Sequence, residues 1–310
     1  MIKLTKIILP LLLLCVIESK AQMVASAGIE TDARVAGFGG AGVALDANAF
    51  SLYRNTAGII FAEPSKKTAV SYGLSSLYGD NTLHTVGGYY RLNETHALTA
   101  GVRYFKADEI QNTNDGLTYT SVKPYDMIID LGYARKMTDE LSLSTNLRYV
   151  HSKVNEGPGI KNGKSIALDL GLYYRKDAYS AAVTASNLGM LVDYGFGEYR
   201  MPANVKAGGA YRLSVASDHL ITGSLEGRYN FMPSDFTFFS GGVGAEYMFR
   251  KMVAVRGGYN LSSENKSVGN YGSVGGGVYI GPVVADFSYI LAEDSSIMKD
   301  VWRVTVGVNF

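Results

Sequence analysis

The last ten residues alternate strictly. Trp302, Val304, Val306, Val308 and Phe310 fall on one face, with Arg303, Thr305, Gly307 and Asn309 on the other. One face is wholly apolar and its opposite polar or small, the period of two expected of a β-strand between two different solvents. The pattern recurs at Leu141, Leu143, Thr145, Leu147 and Tyr149, opposite Ser142, Ser144, Asn146 and Arg148. It recurs again at Ile166, Leu168, Leu170, Leu172 and Tyr174, and at Val253, Val255, Gly257, Tyr259 and Leu261. Extended along the chain, it predicts fourteen strands: 67–75, 82–91, 96–105, 125–135, 140–151, 164–175, 179–187, 203–213, 219–230, 237–249, 253–262, 271–280, 283–291 and 301–310. Most have nine to twelve residues, the length a tilted strand needs to cross a bilayer.

Connection lengths test this independently. The gaps at Leu92–Thr95, Lys136–Asp139, Lys176–Ala178, Ser214–Asp218, Lys251–Met252 and Gly281–Pro282 are short, and those between them are longer, reaching nineteen residues at Lys106–Pro124. Such alternation suits a membrane barrel with one rim in the periplasm and the other outside. A soluble sandwich would have to bury fourteen apolar faces and protect its edges. Closure in a membrane solves both problems. The fold class read from the pattern is therefore all-β, a 14-stranded antiparallel transmembrane β-barrel over residues 65–310.

By parity, Arg103, Asp130, Arg148, Asp169, Arg175, Arg212, Glu226, Arg228, Glu246, Arg256, Asp286 and Arg303 point into the lumen. Seven arginines against five acids can be read as an anion-selective lining, or as pairs across neighbouring strands that hold the wall; pairing is the favoured reading. Tyrosines near strand ends (Tyr89, Tyr90, Tyr104, Tyr133, Tyr149, Tyr174, Tyr211, Tyr229) read as interfacial girdles. Arginine at Val306, on the lipid face, is expected to be costly, and arginine at lumen-facing Thr305 much less so.

Composition agrees. Glycine supplies 36 of 310 residues, above the usual share of about 7%. Hydrophobic residues make up 47% and charged ones 18%, and the net charge of +1 leaves no footprint for nucleic acid. The start has its own logic. Lys3 and Lys6, the apolar run Ile7–Ile17 and the small residues of Ser19-Lys20-Ala21 read as a secretory signal over 1–22. A buried helix, or a lipoprotein signal at Cys15, are the other readings of this stretch. Without it the net charge is about −1, and no cysteine remains for disulfides or thiol chemistry.

Residues 23–64 do not alternate. Gly37-Phe38-Gly39-Gly40-Ala41-Gly42 is a glycine cluster, yet no strand precedes it and no Lys-Ser or Lys-Thr follows, so it does not read as a phosphate cradle. Close backbone packing in a confined space suits it better. The run Ala33-Arg34-Val35-Ala36-Gly37-Phe38-Gly39-Gly40-Ala41-Gly42-Val43-Ala44, then Asp46, then Leu52-Tyr53-Arg54-Asn55-Thr56-Ala57-Gly58, resembles the N-terminal hatch of FadL-type outer-membrane transporters and the related PorV/PorQ proteins of Bacteroidetes. Ser186-Asn187-Leu188-Gly189, Pro202 and Gly208-Gly209-Ala210-Tyr211-Arg212-Leu213 are similar to the PorV/PorQ pattern. The terminal Phe310 resembles the signal read by the barrel-assembly machinery. Thr56 stands where that family has proline, and the loops are too short for the external groove of FadL. The resemblance implies an outer-membrane location and a hatch over 23–64 that includes Gly37, Gly39, Gly40, Gly42, Asp46, Arg54, Asn55, Thr56 and Ala57. Asp46 and Arg54 are the expected tethers, to inward charges such as Glu226, Glu246 or Arg228.

Enzyme chemistry finds no support. His84, His96, His151 and His219 are scattered without ligand spacing, and no G-x-S-x-G occurs. No cofactor is implied. Fourteen strands exceed the eight whose lumen side chains can fill, so a channel or cavity is expected. The leading reading is a hatch-gated conduit for small hydrophobic molecules. The alternatives are a plugged barrel that anchors partners of a type IX-like secretion complex, and a passive polar pore. An apolar cavity beside the hatch favours the first, a sealed lumen the second and a continuous wet path the third.

Overall fold

The computed structural model describes residues 24–113, 119–157, 159–263 and 269–310; the secretory signal expected at 1–22 lies outside them. The strands are β1 (Thr68–Ser76), β2 (Thr82–Arg91), β3 (His96–Lys106), β4 (Ile110–Thr113), β5 (Tyr119–Val122) and β6 (Tyr125–Lys136). Then come β7 (Leu141–Lys153), β8 (Gly163–Lys176), β9 (Tyr179–Gly189), β10 (Val192–Asp193), β11 (Glu198–Tyr199) and β12 (Asn204–Ala216). The last six are β13 (His219–Asn230), β14 (Phe238–Phe249), β15 (Val253–Ser262), β16 (Tyr271–Ile280), β17 (Val283–Leu291) and β18 (Trp302–Asn309).

Two pairs, β4–β5 and β10–β11, are small hairpins inside long connections. The other fourteen strands close one barrel, in which all the described pairings are antiparallel and β1 meets β18 at the seam. All fourteen expected stretches appear, their ends displaced by at most three residues. Closure leaves no edge, so every strand has a ladder partner on both sides. The seam is tied where Phe310 N–H donates to Thr68 C=O (2.7 Å) and Thr68 N–H to Phe310 C=O (2.9 Å). Both chain ends of the barrel therefore lie on the rim of short turns.

The outer face exposes Leu98, Leu131, Leu147, Leu225, Val255, Phe287 and Val306, an apolar belt suited to lipid. Tyr90, Tyr104, Tyr149, Tyr211 and Tyr229 are exposed on that face as expected, whereas Tyr89 is not: it turns inward and is buried. Its strand carries Tyr89 and Tyr90 in succession, and successive side chains must take opposite faces. Arginine at Val306 is expected to lower the stability of the reconstituted barrel by about 2–4 kcal/mol in urea titrations, while Val306→Leu should leave it unchanged. Thr305 corrects the companion expectation. Its hydroxyl accepts the Ala33 N–H (3.2 Å), and the site is buried under the N-terminal segment. Arginine there would have to displace that segment, so an inward position is not a cheap one.

Candidate functional site in the lumen

Residues 24–62 lie inside the barrel and form four short helical segments. They are Ala25–Gly28, the short helix Ala33–Gly37, Ala49–Tyr53 and Thr56–Phe61. Three begin at a residue whose side chain caps them: Asp32 accepts the Arg34 N–H, Asn48 the Phe50 N–H and Asn55 the Ala57 N–H. Asp and Asn at these positions satisfy backbone donors that a one-turn helix leaves open. Ser51 returns a bond to the Asn48 N–H (3.0 Å), completing a capping box. Val35 of the short helix and Phe38, Val43 and Leu45 after it pack in one buried cluster with Tyr173, Ala182 and Ala210 of the wall.

Charge holds this segment to the wall at separate points. Glu246 bridges Arg34 of the segment (2.8 Å) and Arg256 of the wall (2.6 Å), and Arg256 reaches on to Asp286 (2.7 Å). Arg103, Asp130, Arg148 and Asp169 form a second chain, at 3.0, 2.6 and 2.8 Å, and Arg103 also donates to Ala27 C=O. Asp46 meets Arg212 (2.8 Å) and Arg175 (3.2 Å). Glu226 accepts the Gly42 and Val43 N–H groups (3.0 and 2.8 Å) and stands 3.5 Å from Arg228. Arg303 donates to Glu30 C=O (3.0 Å).

The structure thus places all twelve inward charges on the lumen side, most of them in pairs. It does not make Arg54 a tether to the wall. Arg54 pairs with Asp32 (2.9 Å) and donates to Asp46 C=O, tying the segment to itself. Asp46 does reach the wall, through Arg212 and Arg175 rather than Arg228. Arg34, the side chain that grips Glu246, is not marked by the sequence as a site residue: one arginine in an irregular segment carries no parity signal. Arg54→Met should leave Asp32 buried without its cation, at a cost of about 3 kcal/mol borne by the segment. Hydrogen exchange should quicken over residues 32–54 while the barrel strands stay protected.

Backbone and glycine complete the fit. Ser142 donates to Ala57 C=O (2.7 Å), and Asn55 to Leu172 C=O (3.1 Å); Thr56 is buried and its hydroxyl has no partner among the described residues. Gly39 (φ 66°) and Gly40 (φ 82°) take the left-handed conformation that glycine adopts without strain. Gly37 lies against Arg256 and Gly275, and Gly42 against Val35. The Ser186-Asn187 motif is a wall feature: Asn187 is left-handed (φ 59°) at a register shift between Leu168 and Leu170. Its N–H donates to Asp169 (2.7 Å) and its amide to Pro202 C=O (3.0 Å).

Beside this bulge is a cavity of about 30 Å³, lined by Glu30, Arg148, Asp169, Asn187, Lys206 and Arg228 among others. Its lining is charged, not apolar, and its volume suits water or a small ion. The histidines serve elsewhere. His84, His96 and His219 each share a hydrogen bond of 2.6–2.7 Å with Tyr72, Tyr133 and Tyr247 on adjacent strands, and His151 lies 3.4 Å from the Tyr125 hydroxyl. Among the described residues no group of His, Cys, Asp and Glu is arranged to hold a metal.

Comparison with solved structures finds the same barrel. The CymD monoaromatic hydrocarbon channel is 14% identical, with a TM-score of 0.62 over 94% of this chain and 99% of its own. The Pseudomonas putida toluene transporter TodX is 11% identical, with a TM-score of 0.63 over 89% and 97%. A Pseudomonas aeruginosa FadL homologue is 10% identical, with a TM-score of 0.58 over 91% and 99%. At such identities the likeness is one of fold. A comparison with curated proteins gives no match. The fold and the belt of exposed apolar side chains make this an outer-membrane protein. The family model of the type IX secretion system protein PorV matches residues 18–236, more than two-thirds of the sequence and the whole of the segment just described, and the chain belongs to that family.

Proposed function

We propose that the protein works as a closed barrel, a non-transporting subunit of an outer-membrane secretion complex of the type IX kind. One observation carries this reading: residues 24–62 occupy the lumen and are fixed to the wall by a buried ion pair at Glu246 and a partly exposed one at Asp46. In this reading the segment is a plug, the rims are the surfaces that partner proteins meet, and Phe310 is the terminus that the barrel-assembly machinery recognises. The family of the chain supports a secretion role. Transport of small hydrophobic molecules, which the names of CymD and TodX describe for those proteins, would need an apolar route past the segment. The cavity beside it is small and charged.

Purified protein in planar bilayers and in vesicles tests the choice. The native chain should conduct no ions and should not speed toluene entry, whereas a chain lacking residues 24–62 should leak. Mild crosslinking in the native outer membrane should recover the barrel with a larger secretion component. Toluene flux through the native protein, raised by loosening the segment, would overturn the reading in favour of a hatch-gated conduit.

A further inference from the structure

The cavity beside the Asn187 bulge has more cation than it can use. Lys206 of β12 and Arg228 of β13 are direct cross-strand partners, and both point inward. Partners in this position have Cβ atoms about 4.5–5.5 Å apart, and like charges there destabilise a sheet. Such a pair needs negative charge close by.

The neighbouring acids are already committed. Asp169 accepts from both terminal nitrogens of Arg148 (2.8 and 3.2 Å) and from the Asn187 N–H (2.7 Å). Glu30 turns one oxygen back onto the Thr31 and Asp32 N–H groups, both at 2.9 Å. Glu226 spends one oxygen on the Gly42 and Val43 N–H groups, and its other stands 3.5 Å from Arg228. Among the described residues no hydrogen bond or ion pair reaches Lys206. The Arg228 Nε is buried and has no acceptor, and the Thr31 hydroxyl at the same cavity is also unpaired.

We propose that this cavity is a binding site for a free monovalent anion the size of chloride or formate, held between Lys206 and Arg228. Three features carry it: two inward cations placed side by side, a buried N–H donor without an acceptor, and a cavity of about 30 Å³. The volume admits one small ion or one to two waters and excludes larger organic acids. A bound anion would cancel the repulsion between the two strands and complete the Arg228 donor set. The site lies against Gly28–Thr31 of the N-terminal segment, so the ion would also join that segment to the wall. This inference does not depend on whether the barrel conducts.

The test uses the full mature protein in nanodiscs. Saturation-transfer NMR should detect bound formate, and chloride should displace it. Gluconate, too bulky for the cavity, should not. Lys206→Met and Arg228→Met should each weaken formate binding at least tenfold, and Lys206→Arg should keep most of it. Lys67→Met, at an exposed lysine before β1, should change nothing. Stability gives a second measurement in case a variant binds nothing because it is misfolded. With gluconate as counter-ion, Lys206→Met should unfold at the same or a higher urea concentration than the native chain, because a repulsive pair has been relieved. Exchange of gluconate for chloride should stabilise the native barrel and not the variant. Equal formate signals from native protein and both methionine variants would overturn the proposal, as would displacement by gluconate as effective as by chloride.

Discussion

Glu246→Gln is expected to cost about 3–5 kcal/mol and to release the short helix Ala33–Gly37 from the wall. The carboxylate is 1% exposed at its side chain and accepts from Arg34 through two nitrogens (2.8 and 3.2 Å) and from Arg256 (2.6 Å). The amide of glutamine keeps one acceptor oxygen, carries no charge and turns a donor toward two guanidinium groups. Arg256 retains Asp286 at 2.7 Å, whereas Arg34 has no second acid within bonding distance among the described residues. The damage should therefore fall on Arg34 and the segment that carries it. Hydrogen exchange would show this as faster exchange over residues 33–45, with β14 and β15 still protected. The double variant Arg34→Met, Glu246→Gln should recover part of the loss, because the stranded cation is gone and Arg256 still has its own acid. Full additivity of the two changes would mean that Arg34 and Glu246 do not act as a pair.

How far the sequence reveals this architecture depends on which physical rule places each residue. Strands such as Trp302–Asn309 were legible because lipid and lumen are different solvents, and each side chain must choose one. The same parity put Arg103, Asp130, Arg148 and Glu246 on the inner face. Which charge meets which is another matter. Asp46 and Arg212 are 166 residues apart, and nothing local to either marks the other. Arg54 is expected to pair with an inward charge of the wall, yet its partner Asp32 is the cap of a turn 22 residues earlier in the same segment. The segment has no period to read, since its four short helical segments follow the lumen wall and not a lattice of their own. The expectation of a channel or cavity came from strand count alone. The count fixes the bore of a barrel, and the side chains of residues 24–62 decide what is left of it.

Wall glycines make the last case, because alternation reads them only as weak positions in a strand. Gly244 and Gly258 are direct partners on β14 and β15, and both face inward beneath the Phe38–Gly39 backbone. A Cβ on Gly244 would stand 2.5 Å from the Phe38 Cα and 2.6 Å from its carbonyl oxygen. A Cβ on Gly258 would run into the Phe38 carbonyl carbon and the Gly39 nitrogen, and one on Gly242 would lie 2.5 Å from the Gly39 carbonyl oxygen. These obstacles are backbone, which cannot swing aside as the end of a side chain can. Gly258→Val should therefore expel the Phe38–Gly42 turn, at a cost of about 3 kcal/mol or more. Its loss would also part Gly42 and Val43 from Glu226, and draw Arg34 away from Glu246. Gly223→Val is the control: it faces outward on β13, and a Cβ there meets nothing within 4 Å. With Gly258→Val, protease added to the membrane-embedded barrel should cut within residues 24–62, and bilayers should show discrete conductance. With Gly223→Val, both should match the native chain. A Gly258→Val barrel that remains protected and silent would mean that the segment does not rest on this wall, and the case for a lumen closed by it would fail.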